Sequence, residues 1–151
     1  IMADKIDNLD IKILRELGVD ARRSFREIAS KLRVAEGTIY NRVNKLLEMG
    51  VIKGFIPNVD FSKLGYDLVA VVGIVIDGGH LQEVAKKVAD EPNVSAVYDV
   101  TGEYDAVVVA KFRDRTSLND FLESILAMDH VKKTYTMVVL NVLKEQHGIK
   151  I

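Results

Sequence analysis

One short stretch carries side chains suited to bonding a polyanion. In "GTIYNRVNKLLEMG", residues 37–50, Ile39, Val43, Leu46 and Leu47 recur at helical spacing and form an apolar stripe. Opposite stand Thr38, Asn41, Asn44 and Lys45, with Tyr40 and Arg42 on the flanks and no acid between Glu36 and Glu48. Hydroxyl, amide, ammonium and guanidinium groups on one face can bond base edges and phosphates. A second group lies further on. Asp99, Glu103 and Asp105 flank Tyr104 within about one turn of chain. Three acids so placed suit an acid/base pair, a divalent cation, or simply an exposed turn.

Other chemistries are poorly supplied. The chain has 151 residues and no cysteine, which removes disulfides, thiol catalysis and most structural zinc sites. His80, His130 and His147 stand far apart without HxxxH or HxH spacing, so no metal site is expected. No nucleophile sits beside a base, and no phosphate-binding glycine loop occurs, so an enzyme is not expected. An enzymatic reading would need an unrecognised pair among Asp99, Glu103, Asp105 and His130. No run reaches the roughly 18 apolar residues of a membrane span. The opening "IMADKIDNLD" is acidic, unlike a signal peptide. A cytoplasmic protein is expected.

The net charge of −1 hides an asymmetry. Between Arg22 and Lys53 eight basic residues face three acids, a local excess of +5. Such a patch matters more to polyanion binding than the global sum.

The elements that must position these groups change period midway. In the first half, Ile6, Leu9, Ile13 and Leu17 share a helix face behind Asp7, a plausible N-cap. Ser24 and Glu27 fit a capping box ahead of Phe25, Ile28, Ala29 and Leu32. Phe25 reads as core, while Tyr40 sits at a helix edge. The stretch 37–50 is then a third helix, with Gly50 as its terminal glycine, and "VIKGFI" reads as a short strand. Three short helices, the last two joined tightly, outline a helix-turn-helix, winged or plain. Arg22, Arg23 and Arg26 lie where a DNA backbone passes in that motif.

The second half alternates as βαββαβ, with strands at "YDLVAVVGIVID", "VSAVYDV", "DAVVVAKF" and "VKKTYTMVVLNVL". A helix around Leu81–Val88 and another from Thr116 or Ser117 complete a ferredoxin-like sandwich, making the whole chain α+β. "LVAVVGIVI" and "AVVVA" are apolar at successive positions, so the sheet face without helices also needs a cover. A second copy supplies it most simply. The expected division is 2–54 for the helical domain, 55–65 for a linker strand and 66–151 for the sandwich.

"LDIKILRELGVDARRSFREIASKLRVAEGTIYNRVNKLLEMGVIKGF", "VTGEYDAVVV" and "VKKTYTMVVL" together resemble the Lrp/AsnC, or feast/famine, transcriptional regulators, over about Lys5–Lys144. The resemblance implies a DNA-binding regulator of amino-acid-related metabolism acting on pseudo-palindromic promoter DNA. It implies homodimers through the C-terminal sheets (the RAM domain), often octamers or other rings. It also implies a free amino acid as effector, with no cofactor. By position it implies DNA contacts from Thr38, Asn41, Arg42 and Lys45, with Tyr40 and the three arginines nearby. The effector pocket would draw on Thr101, Gly102, Glu103, Tyr104 and Asp105, with Thr134 and Thr136 from a neighbour. Two places depart from the family: Ala35 and Glu36 stand where Ser or Thr often caps the third helix, and Glu103 occupies the second place of a Gly-Asp-Tyr-Asp turn. The surplus acid would suit a basic or polar effector. The competing expectation is an amino-acid-sensing module that controls a protein partner instead of DNA.

Overall fold

The structure, a computed structural model, describes residues 5–151, so the expected domain start at Met2 lies outside the described residues. Two compact units divide the chain, the first reaching Asn58 and the second running Val59–Glu145, with Gln146–Ile151 grouped with the first.

The first unit holds α1 (Asn8–Val19), α2 (Phe25–Leu32) and α3 (Glu36–Glu48). Asp7 caps α1 in a full capping box with Asp10: each backbone N–H donates to the other's carboxylate at 3.0 Å. Ser24 caps α2 by accepting the Glu27 N–H at 3.1 Å, but the return bond is not made, so only half of the expected box forms. The link between α2 and α3 is three residues, Arg33–Ala35, and Arg33 turns the chain in the left-handed region (φ 58°). Gly50 (φ 73°) closes α3: its N–H donates to Leu47 and that of Val51 to Leu46, the paired bonds of a Schellman end. The apolar stripes meet in one core of Ile13, Leu17, Ile28, Ala29, Ile39 and Val43.

The expected strands at 51–56 and 55–65 do not form. Residues 51–60 have no ladder partner, and a single 3-10 turn (Phe61–Leu64) follows, opened by Asp60 accepting the Ser62 N–H. An extended segment without a neighbour has nowhere to place its backbone hydrogen bonds except water. Among the described residues the motif is therefore the plain three-helix form without a wing.

The second unit runs β1 (Leu68–Ile76), α4 (Leu81–Ala89), β2 (Val94–Asp99), β3 (Ala106–Phe112), α5 (Arg115–Leu126) and β4 (Val131–Val138). The strands pair antiparallel in the order β2-β3-β1-β4. Asp114 accepts the Ser117 N–H at 2.8 Å and starts α5 slightly earlier than expected. β4 stops at Val138, before "VLNVL", with one further backbone bond from the Val139 N–H to the Val69 carbonyl at 2.9 Å. Ala70, Val72, Ile74 and Ile76 alternate onto the helix face and pack with Val84, Val88, Phe121 and Ile125. The other face carries half-buried Val69, Val71, Val75, Val107 and Val109, with Tyr98, Tyr135 and Met137 exposed.

Candidate functional site

The polar face of α3 divides in two. Asp10 is the one charged side chain fully buried among the described residues. Its two oxygens are occupied: Arg42 donates to Oδ1 at 3.3 Å, and Lys45 donates to Oδ2 at 3.1 Å beside the Asp7 N–H. Arg42 also reaches Asp7 at 2.5 Å, and that bond holds the Asp7 carboxyl down at about 2. Three residues apart on α3, Arg42 and Lys45 thus face α1 and neutralise a buried acid. Sequence placed both among the base contacts, a role their present bonds compete with. Arg23 is engaged likewise: it pairs with Glu16, which also takes Lys31 at 2.8 Å. The pair pulls the Glu16 carboxyl below its ordinary range, with Lys31 the larger cause.

What remains outward is a narrower surface. Asn41 and Tyr40 are exposed, and Thr38 and Asn44 are half-buried at its border. Tyr40 sets its ring edge against Phe25 (centroids 6.3 Å), which anchors it to α2, while Phe25 itself is half-buried on the core. Arg22 and Arg26 are exposed and form no ion pair among the described residues. Ala35 offers α3 no side-chain cap, as its residue type dictates. The result is a helix presenting amides and a hydroxyl, preceded in the chain by two exposed arginines that form no ion pair among the described residues.

In the second unit the turn after β2 places its residues differently from one another. Thr101, Gly102 and Glu103 are exposed, with Gly102 in the left-handed region (φ 109°). Glu103 is exposed and meets no cation among the described residues. Tyr104 folds back over the open sheet face. A Cβ on Gly73 would lie 2.7–2.9 Å from its ring atoms, so only glycine fits beneath it. Tyr135 lies beside it, with centroids 5.9 Å apart. Burial, with Glu103 and Tyr135 nearby, pushes the Tyr104 phenol upward. Asp105 turns inward, its Oδ2 accepting the Ile76 N–H at 2.8 Å where the β1–β4 register shifts. Thr134 and Thr136 pair with Ile74 and Val72, which puts them on the helix face of the edge strand β4, opposite Tyr104. Within one chain, the turn and the two threonines therefore do not converge.

A third cluster escaped the sequence reading. His80, Glu83 and His130 bring donor atoms within 4.8 Å of one another. Fifty residues separate the histidines, so no local spacing announced them; only the return of β4 beside β1 brings them together.

Comparison with known proteins follows the same division. Residues 6–47 match the AsnC-type helix-turn-helix domain, and residues 69–149 match the Lrp/AsnC ligand binding domain. An uncharacterized HTH-type transcriptional regulator of Pyrococcus furiosus is 52% identical over 146 residues, covering 97% of this chain and 99% of the relative. The HTH-type transcriptional regulator Ptr1 of Methanocaldococcus jannaschii is 39% identical, covering 93% and 95%. The solved structure of E. coli AsnC superposes with a TM-score of 0.88 at 30% identity, over 94% of this chain and 97% of that one. A Neisseria meningitidis transcriptional regulator solved as an L-Met complex shares the fold at TM-score 0.88 and 23% identity, covering 97% of each chain.

Proposed function

The chain belongs to the Lrp/AsnC family of helix-turn-helix, DNA-binding transcriptional regulators, and from that premise we propose how it reads DNA and what adjusts the reading. Thr38 and Asn41 on α3 contact base edges, with Tyr40 at their border. Arg22 and Arg26 hold the phosphates. Arg42 and Lys45 hold α3 against α1, through Asp10, so that the reading face is fixed before DNA arrives. The observation that carries this reading is the split of the α3 face: its cations are spent on a buried acid while its amides stay outward.

The second unit senses a small molecule. Its match to a ligand binding domain supports this, as does the L-Met complex of a protein with the same fold. The effector is a free amino acid. The N–H groups around Gly102 receive its carboxylate, and Tyr104 walls the site. Thr134 and Thr136 of a neighbouring copy complete it at the edge of β4. The open apolar sheet face is covered by a second copy, giving a homodimer whose two α3 helices meet the half-sites of a pseudo-palindromic promoter. Octamers or other rings follow from contacts between dimers. An effector alters transcription by its differential affinity for one assembly over another.

Fluorescence anisotropy against duplexes selected from a random pool, at two salt concentrations, tests the DNA part. Binding that weakens steeply with salt and is lost in Asn41→Ala supports it. Binding indifferent to Asn41 would move the reading face elsewhere, and no enrichment at all would favour control of a protein partner. Sedimentation with and without amino acids tests the assembly part; an unchanged distribution would sink it.

A further inference from the structure

At one end of the sheet, two loops present imidazoles to each other. His80 stands at the N-cap of α4, where it makes no capping bond. Glu83 follows one turn on, its Oε2 3.4 Å from His80 Nδ1. His130 immediately precedes β4 and has left-handed backbone (φ 73°), a conformation uncommon for non-glycine residues that its surroundings here enforce. The enforcement is visible. The Asp77 N–H donates to the His130 carbonyl at 2.8 Å, and the His80 N–H donates to the Asp77 carbonyl at 3.2 Å. One backbone bond thus ties His130 to the β1–α4 loop, and a turn within that loop holds His80.

The rings themselves are the second observation. Their centroids lie 3.4 Å apart with 2° between planes. A separation equal to the thickness of a ring leaves no lateral offset, so the imidazoles are eclipsed. Aromatic quadrupoles disfavour that sandwich and prefer an offset or an edge contact. A carboxylate beside two eclipsed imidazoles is instead a donor set for a cation. Tetrahedral ligands at about 2.1 Å from an ion lie about 3.4 Å from one another, and all three donor atoms here fall within 4.8 Å. Parallel rings direct their nitrogen lone pairs in parallel, so both half-exposed imidazoles turn out of the stack, and the exposed carboxylate swings with them, to converge on one ion. Two nitrogens and one oxygen suit a borderline divalent ion, whereas magnesium and calcium would demand oxygens.

We propose that His80, Glu83 and His130 bind a divalent transition-metal ion of the zinc, nickel or cobalt class, which clamps the β1–α4 loop to the α5–β4 loop. Asp77, 3.9 Å from His130 Nδ1 and tied to Lys132 at 3.3 Å, stands just outside the donor set, where it can orient that ring. Lys87 reaches Glu83 at 3.6 Å and is exposed, so an arriving ion displaces it into solvent. Three protein donors leave at least one coordination position for water or a ligand.

The test uses the full chain, stripped with EDTA and titrated with Co2+ in visible absorption and with Zn2+ and Ni2+ by calorimetry at neutral pH. The expected result is one ion per chain, with d–d bands of nitrogen and oxygen ligation. Affinity should fall at least tenfold in His80→Ala, in Glu83→Gln and in His130→Asn, and stay unchanged in His147→Ala. Asparagine tolerates left-handed backbone, so His130→Asn removes the donor and keeps the loop. Retained DNA binding and an unchanged circular dichroism spectrum certify the variants as folded. Magnesium should not compete. The proposal is overturned if wild-type chain binds Co2+, Zn2+ and Ni2+ no more tightly than His80→Ala/His130→Asn, or if removing His147 abolishes binding. Wild-type chain that binds none of the three overturns it without reference to any variant.

Discussion

The ring of Tyr104 occupies the space in which Gly73 would carry a side chain. A Cβ at position 73 would meet three ring atoms at 2.7–2.9 Å, so the turn after β2 rests on a gap left in the middle of β1. Gly73→Ala should lower stability by about 1–3 kcal/mol as the ring is driven off the sheet. In a Tyr104→Ala background the same change should be neutral or mildly stabilising, because alanine suits a strand better than glycine. Urea denaturation of the four proteins in a double-mutant cycle reads the coupling. An equal cost of Gly73→Ala in both backgrounds would refute the contact.

The Asp7–Arg42 bond predicts a specific acid response. Arg42 holds the Asp7 carboxyl down from 3.8 to about 2. A carboxyl depressed in the folded state adds stability above its ordinary value, and that contribution is lost as pH falls through the folded value. The melting temperature should therefore fall as pH drops from about 4 to about 2, and Asp7→Asn should flatten the slope in that window. Parallel slopes for the two proteins would mean that the bond is not formed in solution.

Within α3, neighbouring residues should separate cleanly by phenotype. Arg42→Ala leaves Asp10 buried with Lys45 alone. The loss should be about 2 kcal/mol, less than the roughly 3–5 kcal/mol of a buried pair with no partner remaining. Asn41→Ala should leave the melting temperature unchanged and cost about 1–3 kcal/mol of discrimination between DNA sequences. Arg26→Ala should weaken binding to all sequences alike and reduce the salt slope by about 1. Melting curves beside anisotropy titrations sort the three. A stable Arg42→Ala protein with lost sequence preference would return Arg42 to the reading face.

Asp105 and Glu103, two residues apart, should likewise differ. Asp105→Ala strips the Ile76 N–H of its acceptor and should cost about 1–3 kcal/mol by urea denaturation. Glu103→Gln should leave stability unchanged. Calorimetry with arginine, lysine, glutamine and leucine on both variants shows whether either side chain touches an effector.

What could be read from sequence was what repeats locally. The stripes of α1, α2 and α3, the caps at Asp7 and Ser24, Gly50 and the βαββαβ order all follow from spacings of a few residues. The shape of the turn around Tyr104 was hidden because Gly73 lies in another strand. The commitment of Arg42 and Lys45 was hidden because Asp10 is more than thirty residues away. "VIKGFI" looked like a strand because β propensity is local, while a ladder requires a partner. The histidine cluster was dismissed for want of spacing, and spacing does not register contacts made by the return of a distant strand.

The knot around Asp10 also bears on how this regulator can change its targets over generations. The side chains of Asn41 and Thr38 make no hydrogen bond among the described residues, so on the proposed reading substitutions there alter what is read while the helix stays in place. Arg42 and Lys45 share the one buried carboxylate of Asp10, so a first replacement of either cation costs stability, and one at Asp10 leaves two cations with Asp7 alone. On that reading, mutational routes to a new operator run through positions 38 and 41. The charged trio moves, if at all, only as a set, after compensating stability has been acquired elsewhere.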